Sequence, residues 1–256
     1  MMPERIELPA QIIADLQRRA AESAVCYVES GMVVGLGSGT TAAFAVRRLG
    51  QLVRSGRLQR IAGIPTSREV AALAEEQGIP LTTLEDRSAV DVTIDGADEI
   101  DPELNLIKGR GGAMLHERIV AHASRCLLIV ADERKLVPCL GTRAPLPVEV
   151  VPFGWVLSAR ALAGLGAKVE RRLLGAAPVL TDEGNYLLDC RFGAIGDLVA
   201  LDRAIRTIPG VVSHGLFLGM AKMVIVGARE GLRLVRRSDA ARTGNASDTR
   251  EAAKPE

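Results

Sequence analysis

Apolar positions recur every three to four residues between Leu8 and Val28, with Ile12, Ile13, Leu16, Ala20, Ala24 and Tyr27 on one face. That spacing predicts an amphipathic helix, which Gly31 ends as a left-handed cap. The apolar run Met32 to Leu36 predicts a short buried strand. A glycine-rich turn at Gly37 to Thr41 and a helix from Ala42 to Leu52 follow. The unit then repeats: a strand from Arg60 to Ile64, then a helix from Ser67 to Gln77 with Ser67 as N-cap. Leu81 to Leu84, Val90 to Ile94 and Cys126 to Val130 read as further strands, and Ala113 to Ser124 as a helix. Strands alternating with helices predict an α/β main domain, a doubly wound, mostly parallel, Rossmann-like sheet covered on both faces.

The texture changes where Pro138, Pro145, Pro147 and Pro152 cluster, which predicts a crossing between domains. Beyond it come a helix (Trp155 to Leu165) and short strands at Lys168 to Arg172, Val179 to Thr181 and Tyr186 to Cys190. A helix (Leu198 to Ile208) and a strand (Val211 to Leu216) complete a smaller α+β domain. The β-branched run Met223 to Val226 is expected to rejoin the main sheet. The expected division is 1–143 with 217–236 as main domain, 144–216 as small domain, and 237–256 as a disordered tail without an apolar face.

Composition narrows the function classes. The 256 residues are 48% hydrophobic, enough for a substantial core, and the net charge of +1 gives no footprint for nucleic acid or an acidic membrane. Aromatics at 3% leave little for base stacking. No run approaches the ~18 apolar residues of a membrane span, and MMPERIELPAQ does not read as a secretory signal, so a cytoplasmic protein is expected. Cys26, Cys126, Cys139 and Cys190 form no CxxC pair and lie at no zinc-ligand spacing from a histidine; they read as separate buried thiols. His116, His122 and His214 show no ligand spacing either, so no metal is expected.

Four segments carry candidate chemistry. Gly35-Leu36-Gly37-Ser38-Gly39-Thr40-Thr41 joins a strand to a helix, where backbone N–H groups, hydroxyls and a helix N-terminus suit an anion. It lacks the lysine of a P-loop and the third glycine of a dinucleotide fingerprint, and a plain tight turn accounts for it equally well. Asp95-Gly96-Ala97-Asp98-Glu99-Ile100-Asp101 puts four carboxylates at a strand's C-terminal end, where open parallel sheets bind ligands. Lys108-Gly109-Arg110-Gly111-Gly112 suits close approach to an oxyanion. It precedes a helix bearing Glu117, which taken alone reads as an exposed glutamate paired with Arg118 or Arg110. Asp132 to Lys135 follows the strand Cys126 to Val130, again at a strand's C-terminal end, and Lys135 there reads equally as a surface lysine or as a phosphate ligand.

In this order, GLGSGTTA, Thr66-Ser67, DGADEID, KGRGGAMLHE and VADERK resemble ribose-5-phosphate isomerase of the A type. LPVEVVP, TDEGN and IPGVVSHGLF extend the resemblance from about Leu16 to Arg236. The resemblance implies a sugar-phosphate substrate, no cofactor, and a homodimer or homotetramer in the cytoplasm. It places Ser38, Gly39, Thr40 and Thr41 in the phosphate loop, and Asp95, Gly96, Ala97 and Asp98 along the sugar. It places Lys108, Gly109, Arg110 and Gly111 in a second substrate loop, with Lys135 as a substrate-binding lysine. Glu117 matches the proton acceptor, with Asp95, Lys108 and Asp98 as the other catalytic groups. Gln17, Arg110 and His116 depart from residues common in the family. Three rival readings remain: a sugar-phosphate sensor, with only about 30 residues before the first strand for a DNA-binding segment; a dinucleotide enzyme, for which the second strand ends without the needed acidic residue; and an acyl transferase.

Overall fold

The structure, a computed structural model, describes residues 8–237. In chain order the helices are α1 (Ala10–Val25), α2 (Thr40–Arg54), α3 (Arg68–Glu76), α4 (Met114–Ala123), α5 (Trp155–Gly164) and α6 (Leu198–Arg206). The strands are β1 (Val33–Leu36), β2 (Ala62–Pro65), β3 (Val92–Asp95), β4 (Glu99–Ile100), β5 (Leu106–Ile107), β6 (Leu127–Asp132), β7 (Leu146–Val150) and β8 (Lys168–Arg171). They continue with β9 (Leu173–Leu174), β10 (Ala177–Pro178), β11 (Tyr186–Arg191), β12 (Val211–His214), β13 (Leu216–Phe217), β14 (Ala221–Ala228) and β15 (Gly231–Arg236).

The main sheet has the order β15-β14-β6-β3-β1-β2, parallel except for β15. β3, β6 and most of β1 are buried, and both faces of β6 are covered, as an interior parallel strand requires. Strand order divides between β1, which leads out to β2, and β3, which lies on its other side; the crevice beyond their carboxyl ends is where such sheets hold ligands.

α1 buries Leu16, Gln17, Ala20, Ala21, Ala24 and Val25, two residues per turn on one stripe. The small residues bring this helix down onto β6 and β14. Gly227 of β14 is part of that fit, because a Cβ there would stand 2.0 Å from the Leu16 carbonyl oxygen. This close seating carries Gln17 to the sheet's ligand-binding edge.

A second, antiparallel sheet has the order β12-β7-β11-β8 and its own core with α5 and α6, including Val148, Leu162, Leu188 and Ile205. A three-stranded sheet, β13-β5-β4, sits between. The α/β fold with a smaller second unit is as the pattern predicted, and Met223 to Val226 does rejoin the main sheet within β14.

Several local expectations need correction. The proline cluster is not only a crossing, since Pro147 lies in β7, an inner strand. Its carbonyl accepts from Gly215 N, so the absent N–H faces the side where β12 has already ended opposite Val148. The strand expected at Leu81 to Leu84 is a single bridge from Leu81 to Gly63, because Thr83 turns the chain by capping Asp86 N. Residues 179–181 form no strand; the hairpin closes earlier, at β9 and β10. The strand expected from Val211 to Leu216 breaks at Gly215 into β12 and β13, which join different sheets. Of the cysteines, Cys190 is buried and all four are free, but Cys26 is exposed just beyond α1, against expectation. Except for residue 237, the tail expected over 237–256 lies outside the described residues. No described helix is long and apolar enough to cross a membrane.

Candidate active site

The carboxylates of DGADEID separate into distinct jobs. Asp95 ends β3 fully buried, and its Oδ1 accepts from Ser38 N at 3.1 Å and Gly96 N at 2.7 Å. Gly37 permits this contact: a Cβ there would lie 2.5 Å from the Asp95 Cα. The glycine-rich turn is thus tied directly to the acidic loop. Asp98 faces the cleft and accepts from Arg110 N at 3.0 Å. Glu99 turns the other way, wholly buried, and accepts from the N–H groups of Gly141, Arg143 and Ala144. Asp101 closes the β4–β5 hairpin by accepting from Glu103 N and Asn105 N at 2.9 and 2.8 Å. Two of the four carboxylates are therefore framework.

That hairpin returns the chain antiparallel, so Lys108, just after β5, comes back beside Asp95. Lys108 N donates to Gly215 O, and its Nζ donates to Gly96 O at 2.5 Å. Nζ lies 2.9 Å from Asp95 Oδ2 and 3.3 Å from Glu117 Oε2. Neither of these two carboxylate oxygens accepts a well-aligned hydrogen bond. Glu117 is buried rather than exposed, and its partner is Lys108, not Arg118 or Arg110. Arg118 turns instead to the carbonyls of His214 and Leu216 and stacks on the Phe217 ring at 4.3 Å.

The electrostatics follow from burial. Removal from water pushes the Glu117 carboxyl up to about 8, and the neighbouring Asp95 charge adds to this, against the pull of Lys108. Burial also raises Asp95, with Lys108 opposing. For Lys108, burial acts downward, but the Asp95 and Glu117 carboxylates outweigh it and the ammonium is held above its ordinary range.

These groups meet a cleft of about 400 Å³. Ser38, Gly39, Thr40, Thr41, Gly96, Ala97, Asp98, Lys108, Gly109, Arg110, Gly111, Glu117 and Lys135 all line it. The expected site residues therefore come together, with one distinction: Asp95 is sealed behind the wall that Gly96 and Lys108 form. Ser38 Oγ is held by Thr66 Oγ1 at 2.7 Å and donates to Ser67 Oγ at 3.0 Å.

Two lining residues lay outside the expected set. Gln17 donates through Nε2 to Asp132 Oδ2 at 2.9 Å, and Arg134 donates through Nε to Asp132 Oδ1 at 2.7 Å. Burial would raise Asp132, but the bonds from Arg134 and Gln17 hold it below the usual carboxylate range. The sequence places the segment from Asp132 to Lys135 at a strand's C-terminal end but assigns a role only to Lys135; the position of Asp132 at the end of β6, the strand next to β3, was the signal for Gln17 and Arg134. Among the described residues no group of three His, Cys, Asp or Glu side chains is placed to hold a metal.

A doubly wound sheet with a proton-holding carboxylate and a fixed ammonium at its switch point belongs to the class of α/β proteins that bind a small anion there and act on it by proton transfer. Residues 62–231 match the family Ribose 5-phosphate isomerase A (phosphoriboisomerase A). Ribose-5-phosphate isomerase A of Roseiflexus castenholzii is 54% identical over 88% of this chain and 97% of its own length, and that of Gloeobacter violaceus is 55% identical over 86% and 95%. The solved ribose 5-phosphate isomerase A of Methanocaldococcus jannaschii superposes with a TM-score of 0.83 at 41% identity, covering 87% of this chain and 98% of that one. The chain belongs to the ribose 5-phosphate isomerase A family.

Proposed function

We propose that the chain interconverts D-ribose 5-phosphate and D-ribulose 5-phosphate through an enediolate, in the non-oxidative pentose phosphate pathway. The observation that carries the reading is the buried Glu117 carboxyl, raised to about 8, beside the Lys108 ammonium in the cleft wall. A general base works best with its pKa near the working pH. Glu117 removes the C2 proton of the open-chain aldose. The C–H electron pair forms the C1–C2 double bond, and the C1 carbonyl pair moves onto O1. Lys108 and the N–H groups of Gly109 and Gly111 meet the charge on that oxygen, since Arg110 N and Gly112 N already donate to Asp98 and to the Gly109 carbonyl. Such a contribution is of the kind worth roughly 10²–10³ in rate per donor. Glu117 then returns its proton to C1, while the O2 hydroxyl proton leaves and O1 takes one up, giving the ketose.

Ribose 5-phosphate is mostly a ring, so opening precedes this step. Asp95, sealed behind Gly96 and Lys108, is proposed to take the ring hydroxyl proton by way of Lys108, whose Nζ lies 2.9 Å from its Oδ2; Asp98, on the wall, orients the hydroxyls. The phosphate is assigned to Ser38, Gly39, Thr40, Thr41 and Lys135, where binding far from the reacting carbons holds C2 at the base. A sensor has no use for a buried carboxyl poised near neutral pH beside an ammonium, and this favours the enzyme reading.

The cytoplasmic setting and a homodimer or homotetramer belong to the same proposal. The exposed Phe153 and Leu157 are apolar surface that an assembly would cover. The domain division into 1–143 with 217–236 and 144–216 is supported by the two separate sheets. The test is ketose formation from ribose 5-phosphate by chelator-treated protein, with Glu117→Gln alongside. Turnover by the parent and a loss of at least a hundredfold in the variant, with substrate still bound, is expected. A variant retaining most of the activity removes Glu117 as the base.

A further inference from the structure

Beside the cleft lies a second cavity of about 540 Å³, whose lining includes Arg110, Lys135, Arg143, Arg172 and Arg191. It shares Asp98, Arg110, Arg134 and Lys135 with the cleft, so the two open on each other across these side chains. Six cationic side chains line it, against only two carboxylates, Asp98 and Asp189. The chain as a whole is nearly neutral at +1, which makes this local excess a specific feature of the fold.

Part of the cationic set is already committed. Arg172 grips Asp189 with two bonds, at 2.9 and 2.5 Å, and donates to the carbonyls of Gly109 and Arg110. Arg134 is held by Asp132. Among the described residues, Arg110, Lys135 and Arg191 make no ion pair. The walls are fixed: Glu99 pins the backbone of Gly141, Arg143 and Ala144, and Pro145 and Pro147 stiffen the segment that follows. Like charges held at a rigid concave surface repel one another until an anion neutralises them, and guanidinium groups match phosphate oxygens two at a time.

We infer that this cavity is a second anion site that takes a phosphate group other than the one held by the Ser38 to Thr41 loop. Two sources share that chemistry. The phosphate belongs either to the far end of a bisphosphorylated sugar that spans both cavities, or to a separate phosphorylated metabolite bound next to the substrate. In both cases Arg172, through the Gly109 and Arg110 carbonyls, couples the occupant to the loop that carries Lys108.

The inference is tested by calorimetric titration of the full chain with pyrophosphate, comparing the parent with Arg191→Gln and with Arg143→Gln/Arg191→Gln. Neither residue belongs to the proposed catalytic or substrate-binding set. Affinity is expected to fall several-fold in the single variant and at least tenfold in the double, while kcat and KM for ribose 5-phosphate stay within twofold. The single variant keeps the test decisive if losing the Arg143 bond to the Arg134 carbonyl disturbs folding. Identical isotherms in all three proteins overturn the inference. The readout is binding, so it stands whether or not the isomerase reading does. Repeating the parent titration with saturating ribose 5-phosphate is expected to leave pyrophosphate bound. Displacement, which places the probe in the Ser38 to Thr41 loop, overturns the inference. A sugar bisphosphate used in place of pyrophosphate then separates the sources, since competition with ribose 5-phosphate marks a bridging ligand and simultaneous binding a separate metabolite.

Discussion

Lys108 Nζ stands 3.3 Å from Glu117 Oε2, with only 3% and 6% of the two side chains open to solvent. An ammonium that close ordinarily favours an ionised carboxylate. Here burial and the second carboxylate, Asp95, outweigh it, and Glu117 is pushed up to about 8. Two buried carboxylates share one lysine, so the trio holds a proton near neutral pH that a solvated glutamate would have lost.

This arrangement costs stability in alkali. Glu117 stays protonated in the folded protein up to about pH 8, whereas in the unfolded chain it ionises near its ordinary 4.5. The folded state therefore binds more protons in that window, and stability falls as pH rises through it. Glu117→Gln is expected to raise the thermal midpoint at pH 8 to 9 and to change it little at pH 4.5. Equal midpoints at both ends of the range contradict the assignment.

The same group sets a rate profile. If ionised Glu117 is the base, kcat/KM rises with pH through about 8 and then levels, as the free protein gives up that proton. A profile flat from pH 6 to 9 places the base elsewhere.

Much of this was readable in the chain, and the misses have definite causes. Strand–helix alternation and the carboxylates at the end of β3 come from local pattern, and local pattern held. Glu117 taken alone read as an exposed glutamate because its helix is mostly apolar in sequence and Arg118 and Arg110 offered nearby partners. In the fold, Met114, Glu117, Val120 and Ala121 form the buried face and Ile119 is 46% exposed. That stripe was available as a helical spacing with a carboxylate in its middle. The β4–β5 hairpin was not available: strands of two residues carry no period, and they exist because Asp101 closes their turn. Asp132 and Gln17 meet across 115 positions, a pairing that only the tertiary fold creates.

Glu99 offers a test of the framework. It is the sole side-chain acceptor for three backbone N–H groups of the 141–144 segment. Glu99→Ala leaves those part-buried donors without their acceptor, at a cost of about 1–3 kcal/mol. Chemical denaturation should show that loss, and a change under about 1 kcal/mol would mean that water replaces the carboxylate.

His214 contributes to the acid limb. Burial and the nearby Arg118 hold it down to about 3 against an ordinary 6.5, despite Asp202 Oδ1 at 3.3 Å. The unfolded chain takes up this proton as pH falls below about 6.5 and the folded protein does not, so stability is lost toward about pH 3. His214→Asn, which keeps an acceptor for Leu216 N, is expected to flatten the decline of the unfolding free energy between those values. An unchanged slope assigns the acid limb to other groups.

The seat of α1 against Gly227 also bears on how the protein is made. Among the described helices α1 leaves the ribosome first, yet two of the strands it rests on, β6 and β14, follow it by more than 100 and about 200 residues. Contacts so distant in sequence form late and slowly. The growing chain must hold the apolar stripe of α1 without these two strands until residue 228 has emerged, so Gln17 is seated beside the cleft only after that. Truncation anywhere before β14 leaves part of the α1 stripe uncovered although α2 still packs on it, an exposed apolar surface that is a target for chaperones and proteases.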